Sequence, residues 1–196
     1  MNPLAVLCVV VTVPGPIQFQ RHEIDTYRSG YQVAVADVNG NGRPDVIALS
    51  TEADRVDWYE NPGWKRRPVA RTAKNIDLAP LDVDGDGRVE IALASEFYFA
   101  DASRGGHVDL LSAPANPGDL WPMRRIAVDP VVHRLRWGDL DGDGRPELVH
   151  APIFGPGSHG PQDAQPSHLW AFRRPQKPGD DWETLKIDET LTVLHG

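Results

Sequence analysis

The sequence predicts an all-β chain built from repeated four-stranded sheets, and three observations carry that prediction. A nine-residue acidic loop is written three times: Asp37-Val38-Asn39-Gly40-Asn41-Gly42-Arg43-Pro44-Asp45, Asp82-Val83-Asp84-Gly85-Asp86-Gly87-Arg88-Val89-Glu90, and Asp139-Leu140-Asp141-Gly142-Asp143-Gly144-Arg145-Pro146-Glu147. Each copy sits between two short apolar runs, which read as buried strands because they are brief and bounded by glycine and proline. Each copy then continues into two further strand-like runs joined by a proline-glycine turn.

Taken in order, the first copy has strands at 31–36, 46–49, 55–59 and 64–70, with the turn Asn61-Pro62-Gly63 before the last. The second has strands at 76–81, 91–94, 107–111 and 121–128, with the turn Asn116-Pro117-Gly118. The third has strands at 135–138, 148–150, 168–172 and 182–187, with the turn Lys177-Pro178-Gly179. Loop starts lie 45 and 57 residues apart, a spacing suited to four-stranded units with loops of variable length. The 18 glycines and 18 prolines recur at matched places between apolar runs, so they are turn punctuation rather than a sign of low-complexity disorder.

Oxygen-bearing side chains at loop positions 1, 3, 5 and 9, with glycines at 4 and 6, suit a short loop curled around one hard cation. The ligand set is Asp37, Asn39, Asn41 and Asp45; Asp82, Asp84, Asp86 and Glu90; Asp139, Asp141, Asp143 and Glu147. The position-7 carbonyls of Arg43, Arg88 and Arg145 add a backbone ligand to each. Ten carboxylates of these loops account for the formal net charge of −8, since the remainder of the chain carries about +2. An EF-hand needs a bidentate Glu at position 12, where this chain has Ala48, Leu93 and His150, so that grammar is excluded. All-oxygen ligands at this density favour Ca²⁺ over Mg²⁺ and Zn²⁺, with up to three ions expected. The first loop, with two carboxylates and two amides, is expected to bind most weakly.

These loops and their flanks resemble the calcium-binding FG-GAP or VCBS repeats of integrin-type β-propellers, over nearly the whole chain after residue 16. The resemblance implies that each copy is one blade. Residues 17–24 match a fourth strand, and residues 185–196 match the end of one blade and the start of another. The expected architecture is three full blades with half units, an incomplete part of a larger, seven-bladed type of propeller; closed propellers hold roughly four to eight blades. The remaining blades would come from a longer chain or a second subunit, because an unclosed sheet leaves unpaired edges.

Residues 4–13 form an apolar stretch too short to span a bilayer and of the length of a signal-peptide core. Residues 1–16 are therefore read as a signal peptide or unstructured N-terminus, 17–196 as the blades, and the protein as extracellular or periplasmic. The sole cysteine, Cys8, lies inside the stretch, which leaves a mature exported chain without disulfides and calcium as its main staple. Millimolar extracellular Ca²⁺ would fill even weak sites.

If strands alternate in direction, the metal loops share one face, while the second-to-third connections and the blade crossovers share the other. Those connections lengthen from blade to blade, over 50–54, 95–106 and 151–167, and loops growing on one face of a rigid scaffold are the usual seat of binding. Polar and aromatic residues there are Glu96, Tyr98, Asp101, Arg104, His150, His159 and His168, with His133 and Arg134 from the crossover. Tyr31, Ile76 and His133 occupy one position, six residues before the first ligand, with His195 as a fourth copy. Histidines entering a central channel could hold Zn²⁺, through His133 and His195, or act as acid and base. A hydrogen-bonded structural histidine is the simpler alternative, since no two share a ligand-like local spacing.

The stretch from His133-Arg134-Leu135-Arg136-Trp137 through the third loop to Gly157 also resembles the propeller domains of aldos-2-ulose dehydratase/isomerase-like proteins. That narrower resemblance implies metal-dependent dehydration of a sugar-derived ketone, with His133, Arg134 and His150 as catalytic candidates. Two function classes follow: a calcium-stabilised module that binds a carbohydrate or protein, and a lyase-like domain. The sequence holds no basic patch for nucleic acid, no P-loop, no Gly-x-Ser-x-Gly and no membrane-spanning run.

Overall fold

Twelve strands form three antiparallel four-stranded sheets in the computed structural model of the protein, which describes Gly15, residues 17–177 and residues 179–194. The first sheet holds β1 (Gly30–Ala36), β2 (Asp45–Ser50), β3 (Val56–Glu60) and β4 (Lys65–Ala70). The second holds β5 (Asp77–Leu81), β6 (Glu90–Ser95), β7 (His107–Ser112) and β8 (Met123–Val128). The third holds β9 (Arg134–Gly138), β10 (Glu147–Ala151), β11 (Leu169–Arg173) and β12 (Glu183–Asp188). Strands pair in sequence order within each sheet, so every unit is a meander. These are blades of a β-propeller whose sheets do not close into a ring.

Burial explains why the blades stack. Ile47, Leu49, Val56 and Trp58 of the first blade share one core with Leu78, Ile91, Leu93, Leu111 and Trp121 of the second. Ala92, Ala94 and Val108 share the next core with Leu135, Leu148 and Phe172 of the third. Each fully buried large aliphatic or aromatic side chain stabilises by about 1.5–3 kcal/mol, so the face-to-face contact, more than hydrogen bonding within a sheet, sets the arrangement.

The first strands of successive blades are clasped by one repeated device. Gln32 in β1 accepts from the Leu78 amide at 2.7 Å and donates to the Leu78 carbonyl at 3.2 Å. Asp77 in β5, at the same repeat position, accepts from the Leu135 amide at 2.7 Å and from Arg136 Nη1 at 2.9 Å. The Trp121 amide also reaches back one blade, to the Val69 carbonyl at 2.9 Å.

Two sequence expectations change at the margins. Residues 17–29 run without strand pairing, with Ile17 83% and Phe19 94% exposed. A fourth strand needs a third to pair with, and none is offered among the described residues. Further along this segment, the Tyr27 hydroxyl bonds the carbonyls of Ala48 and Arg55 and the carboxylate of Asp57, and Asp25 accepts from the Tyr59 hydroxyl at 2.7 Å. Residues 189–194 likewise form no strand. Cys8, the proposed signal segment apart from Gly15, and His195 lie outside the described residues.

Candidate metal loops and ligand groove

The three acidic loops connect β1 to β2, β5 to β6 and β9 to β10, and they gather on one face. In each, the position-1 aspartate takes two backbone amides, those of positions 5 and 6 in the first loop and of positions 4 and 6 in the other two. Asp37 accepts from Asn41 and Gly42 at 3.0 and 2.7 Å, Asp82 from Gly85 and Gly87 at 2.8 and 2.9 Å, and Asp139 from Gly142 and Gly144 at 2.8 and 3.0 Å. The position-5 side chain takes the position-7 amide, as Asp86 does from Arg88 at 2.8 Å and Asp143 from Arg145 at 2.7 Å. Both glycines of each loop have positive φ, from 70° to 84° across the three copies, which only glycine adopts freely.

The position-9 carboxylate locks each loop from below. Asp45, Glu90 and Glu147 are buried, and each accepts from the position-2 amide, at 3.0 Å from Val38, 3.1 Å from Val83 and 3.0 Å from Leu140. Burial pushes the Asp45 and Glu90 carboxyls above the ordinary carboxylate range, against the pull of the amides they accept from. The Asp82, Asp84 and Asp86 carboxylates each bring an oxygen within 4.8 Å of the others, as do those of Asp139, Asp141 and Asp143. This donor set is all hard oxygen, exposed above a buried anion, and it fits a divalent calcium-like ion better than a nitrogen- or sulfur-seeking one. In the first loop, Asn39 and Asn41 replace two carboxylates, and Asn39 Nδ2 donates to Glu60 Oε1 at 3.3 Å.

The opposite face carries a cavity of about 530 Å³. Its walls come from the start of β1 (Tyr31), the β2–β3 turn (Thr51, Glu52), the crossover into the second blade (Lys74, Asn75, Ile76) and the β6–β7 connection from Phe97 to Arg104. Lys74 and Glu96, both at positive φ, anchor that connection: the Glu96 amide donates to Ala73 O at 2.9 Å and the Phe97 amide to Lys74 O at 3.1 Å. Backbone strain of this kind is held where surrounding structure over-determines it. Beyond it, Phe97 packs back onto the core while Phe99 turns outward, leaving Phe99 47% exposed beside Tyr31, which is 48% exposed.

Charges on the groove are internally ordered. The Tyr98 hydroxyl donates to Glu96 at 2.6 Å and the Arg104 guanidinium lies 3.9 Å over the Tyr98 ring. Hydrogen bonds from Ser103, with Arg104 at 2.8 Å, hold the Asp101 carboxyl below its usual range. Glu96, Tyr98, Asp101 and Arg104 are thus brought together as the sequence suggests. Glu52, Lys74, Phe97 and Phe99 belong with them and were not singled out; the aromatic run itself was the available signal.

The histidines have separate settings. His133 is buried, its ring 5.8 Å from that of Phe97. Arg134 reaches the His133 carbonyl and lies 5.8 Å from the Tyr31 ring. His150 is fully buried, with Nε2 at 2.8 Å from Asp129 Oδ2. The same buried Asp129 meets His168 Nδ1 at 3.1 Å, and His168 stacks on Trp170 at 4.2 Å. Asp129, unremarked in the sequence, is therefore the hub of a His-Asp-His cluster, while His159 is exposed and uses its amide on Asp163. His133, Arg134 and His150 do not line the groove.

Stacked four-stranded blades with an acidic loop on each innermost hairpin define a β-propeller-type module. Residues 37–93, spanning the first two loops, match the profile of the FG-GAP-like repeat. No curated protein matches the chain, and among the described residues no helix is long and apolar enough to cross a membrane.

Proposed function

We propose that the protein is a calcium-stabilised binding module of the extracellular or periplasmic space, with structural Ca²⁺ in the acidic loops and a carbohydrate ligand in the groove on the opposite face. The observation that carries the binding reading is the groove itself. Tyr31, Tyr98 and Phe99 offer apolar ring surface, while Glu52, Lys74 and Asp101 offer donors and acceptors beside it. Concave sites with aromatic walls and a few convergent polar groups are the usual form of a small-ligand site. Rings suit the C–H faces of a sugar, and the polar groups suit its hydroxyls. Dehydration of a sugar-derived ketone is the weaker reading, since neither His133 nor His150 lines the groove: His133 is buried behind Phe97 and His150 is fully buried on Asp129.

Glycan-array screening of the intact chain, followed by titration calorimetry with the best hit, tests the reading. Phe99→Ala and Tyr98→Ala should each weaken binding about tenfold, in line with the loss of one stacked ring, while His150→Gln leaves affinity within about twofold. Unaltered affinity in both aromatic variants would place the ligand elsewhere.

A further inference from the structure

The third loop differs from the other two in what stands beside its ligands. One step beyond the Leu148–Phe172 pair, Arg173 of β11 stands beside Glu147, where the second blade has Ser112 opposite Glu90 and the first has Glu60 one step beyond the Val46–Tyr59 pair. Three related blades thus put an anion, a neutral hydroxyl and a cation at one position. The Arg173 guanidinium spans the loop: Nη2 lies 2.6 Å from Asp141 Oδ2, Nε 3.1 Å from Glu147 Oε1, and Nη1 3.4 Å from Glu183 Oε2. With the Leu140 amide on Glu147 Oε2, both oxygens of that buried carboxylate are engaged. In the second loop Glu90 takes only the Val83 amide among the described residues.

We propose that Arg173 is the resident counter-ion of the third loop, which a divalent cation must displace from Asp141 and Glu147 before it can be held there. The inference rests on the calcium reading above. It reorders the sites: the central loop, with four carboxylates and only the exposed Arg88 of its own loop on Asp86 at 3.1 Å, is tightest; the first has two amides, and the Glu60 beside it is already paired with Arg67 at 2.7 Å; the third trades affinity for a loop whose charge Arg173 offsets in part. A cation a few ångströms from a divalent ion opposes it by an amount that corresponds to about tenfold in affinity at high effective dielectric. The loop therefore stays folded at low calcium, because the guanidinium already offsets part of the charge on Asp141 and Glu147.

Calorimetric titration with CaCl₂ alone tests this in a chain whose first two loops are disabled by Asp37→Asn and Asp84→Asn. In that background Arg173→Ser should lower the Kd about tenfold, Arg173→Lys should change it less than threefold, and Asp141→Asn should abolish binding. A second readout separates a counter-ion from a merely structural arginine: Arg173→Ser should lower the melting temperature in EGTA and narrow or reverse that deficit in millimolar calcium. An unchanged or weaker Kd in Arg173→Ser, or a melting deficit equal in both buffers, overturns the proposal while leaving the calcium reading intact. Absence of any binding by the unmutated chain overturns both.

Discussion

At the residue scale, His107 shows how position sets chemistry. It opens β7 with Nδ1 3.0 Å from Arg125 Nη2, and burial, with that guanidinium beside it, holds the imidazole below its ordinary value of 6.5. The folded chain therefore disfavours the protonated ring. Stability attached to this group is complete above pH 6.5 and is lost as pH falls through 6.5 toward the lowered native value. Calorimetric melting between pH 7.5 and 5 should show a steeper acid-side decline in the wild type than in His107→Gln. Equal slopes would mean that the ring titrates alike in both states. The Asp129 cluster makes a different point about legibility. Its members are 21 and 39 residues apart in sequence, so no local spacing announces it, and histidines chosen from sequence as acid and base candidates turn out to include one that braces a carboxylate.

At the element scale, the acidic loops and all twelve strands were legible because each depends on local chemistry: turn glycines and prolines, short apolar runs and a nine-residue ligand grammar. The clasp between β1, β5 and β9 was not legible, since Gln32 and Asp77 share a function only through a backbone amide supplied 46 or 58 residues later. Asp77 is fully buried with one oxygen, Oδ1, unbonded among the described residues, and burial raises its carboxyl pKa. Asp77→Leu strands the buried Leu135 amide and should destabilise by about 1–3 kcal/mol, whereas Asp77→Asn keeps an acceptor and should lose less than half of that. Urea unfolding measures both. The fourth strand expected over residues 17–24 is absent for the complementary reason: a strand is a property of a pair, and the segment's apolar content alone does not supply the partner.

At the scale of the whole molecule, three oxygen-lined loops on one face predict a strong metal dependence of stability. A site filled to a hundred times its Kd contributes about 2.7 kcal/mol, which in a chain of this size corresponds to a melting shift on the order of 5–10 °C. Melting in 2 mM CaCl₂ should exceed melting in EGTA by at least that much, and coincident curves would remove calcium from the account of this fold. The clasp has one further consequence, which is polarity. The first and second blades each offer an acceptor side chain to an amide of the blade that follows, so the row has a head and a tail. At the head stands Val33, 66% exposed, which pairs with Ala48 as Leu78 pairs with Leu93 and Leu135 with His150. At the tail the acceptor position holds Arg134, whose side chain only donates. Two copies of this chain laid head to tail would set donor against donor at the seam. A sheet that precedes β1 meets the Val33 amide, whereas one that follows β9 meets Arg134 at the acceptor position: the ends of the arc differ in chemistry.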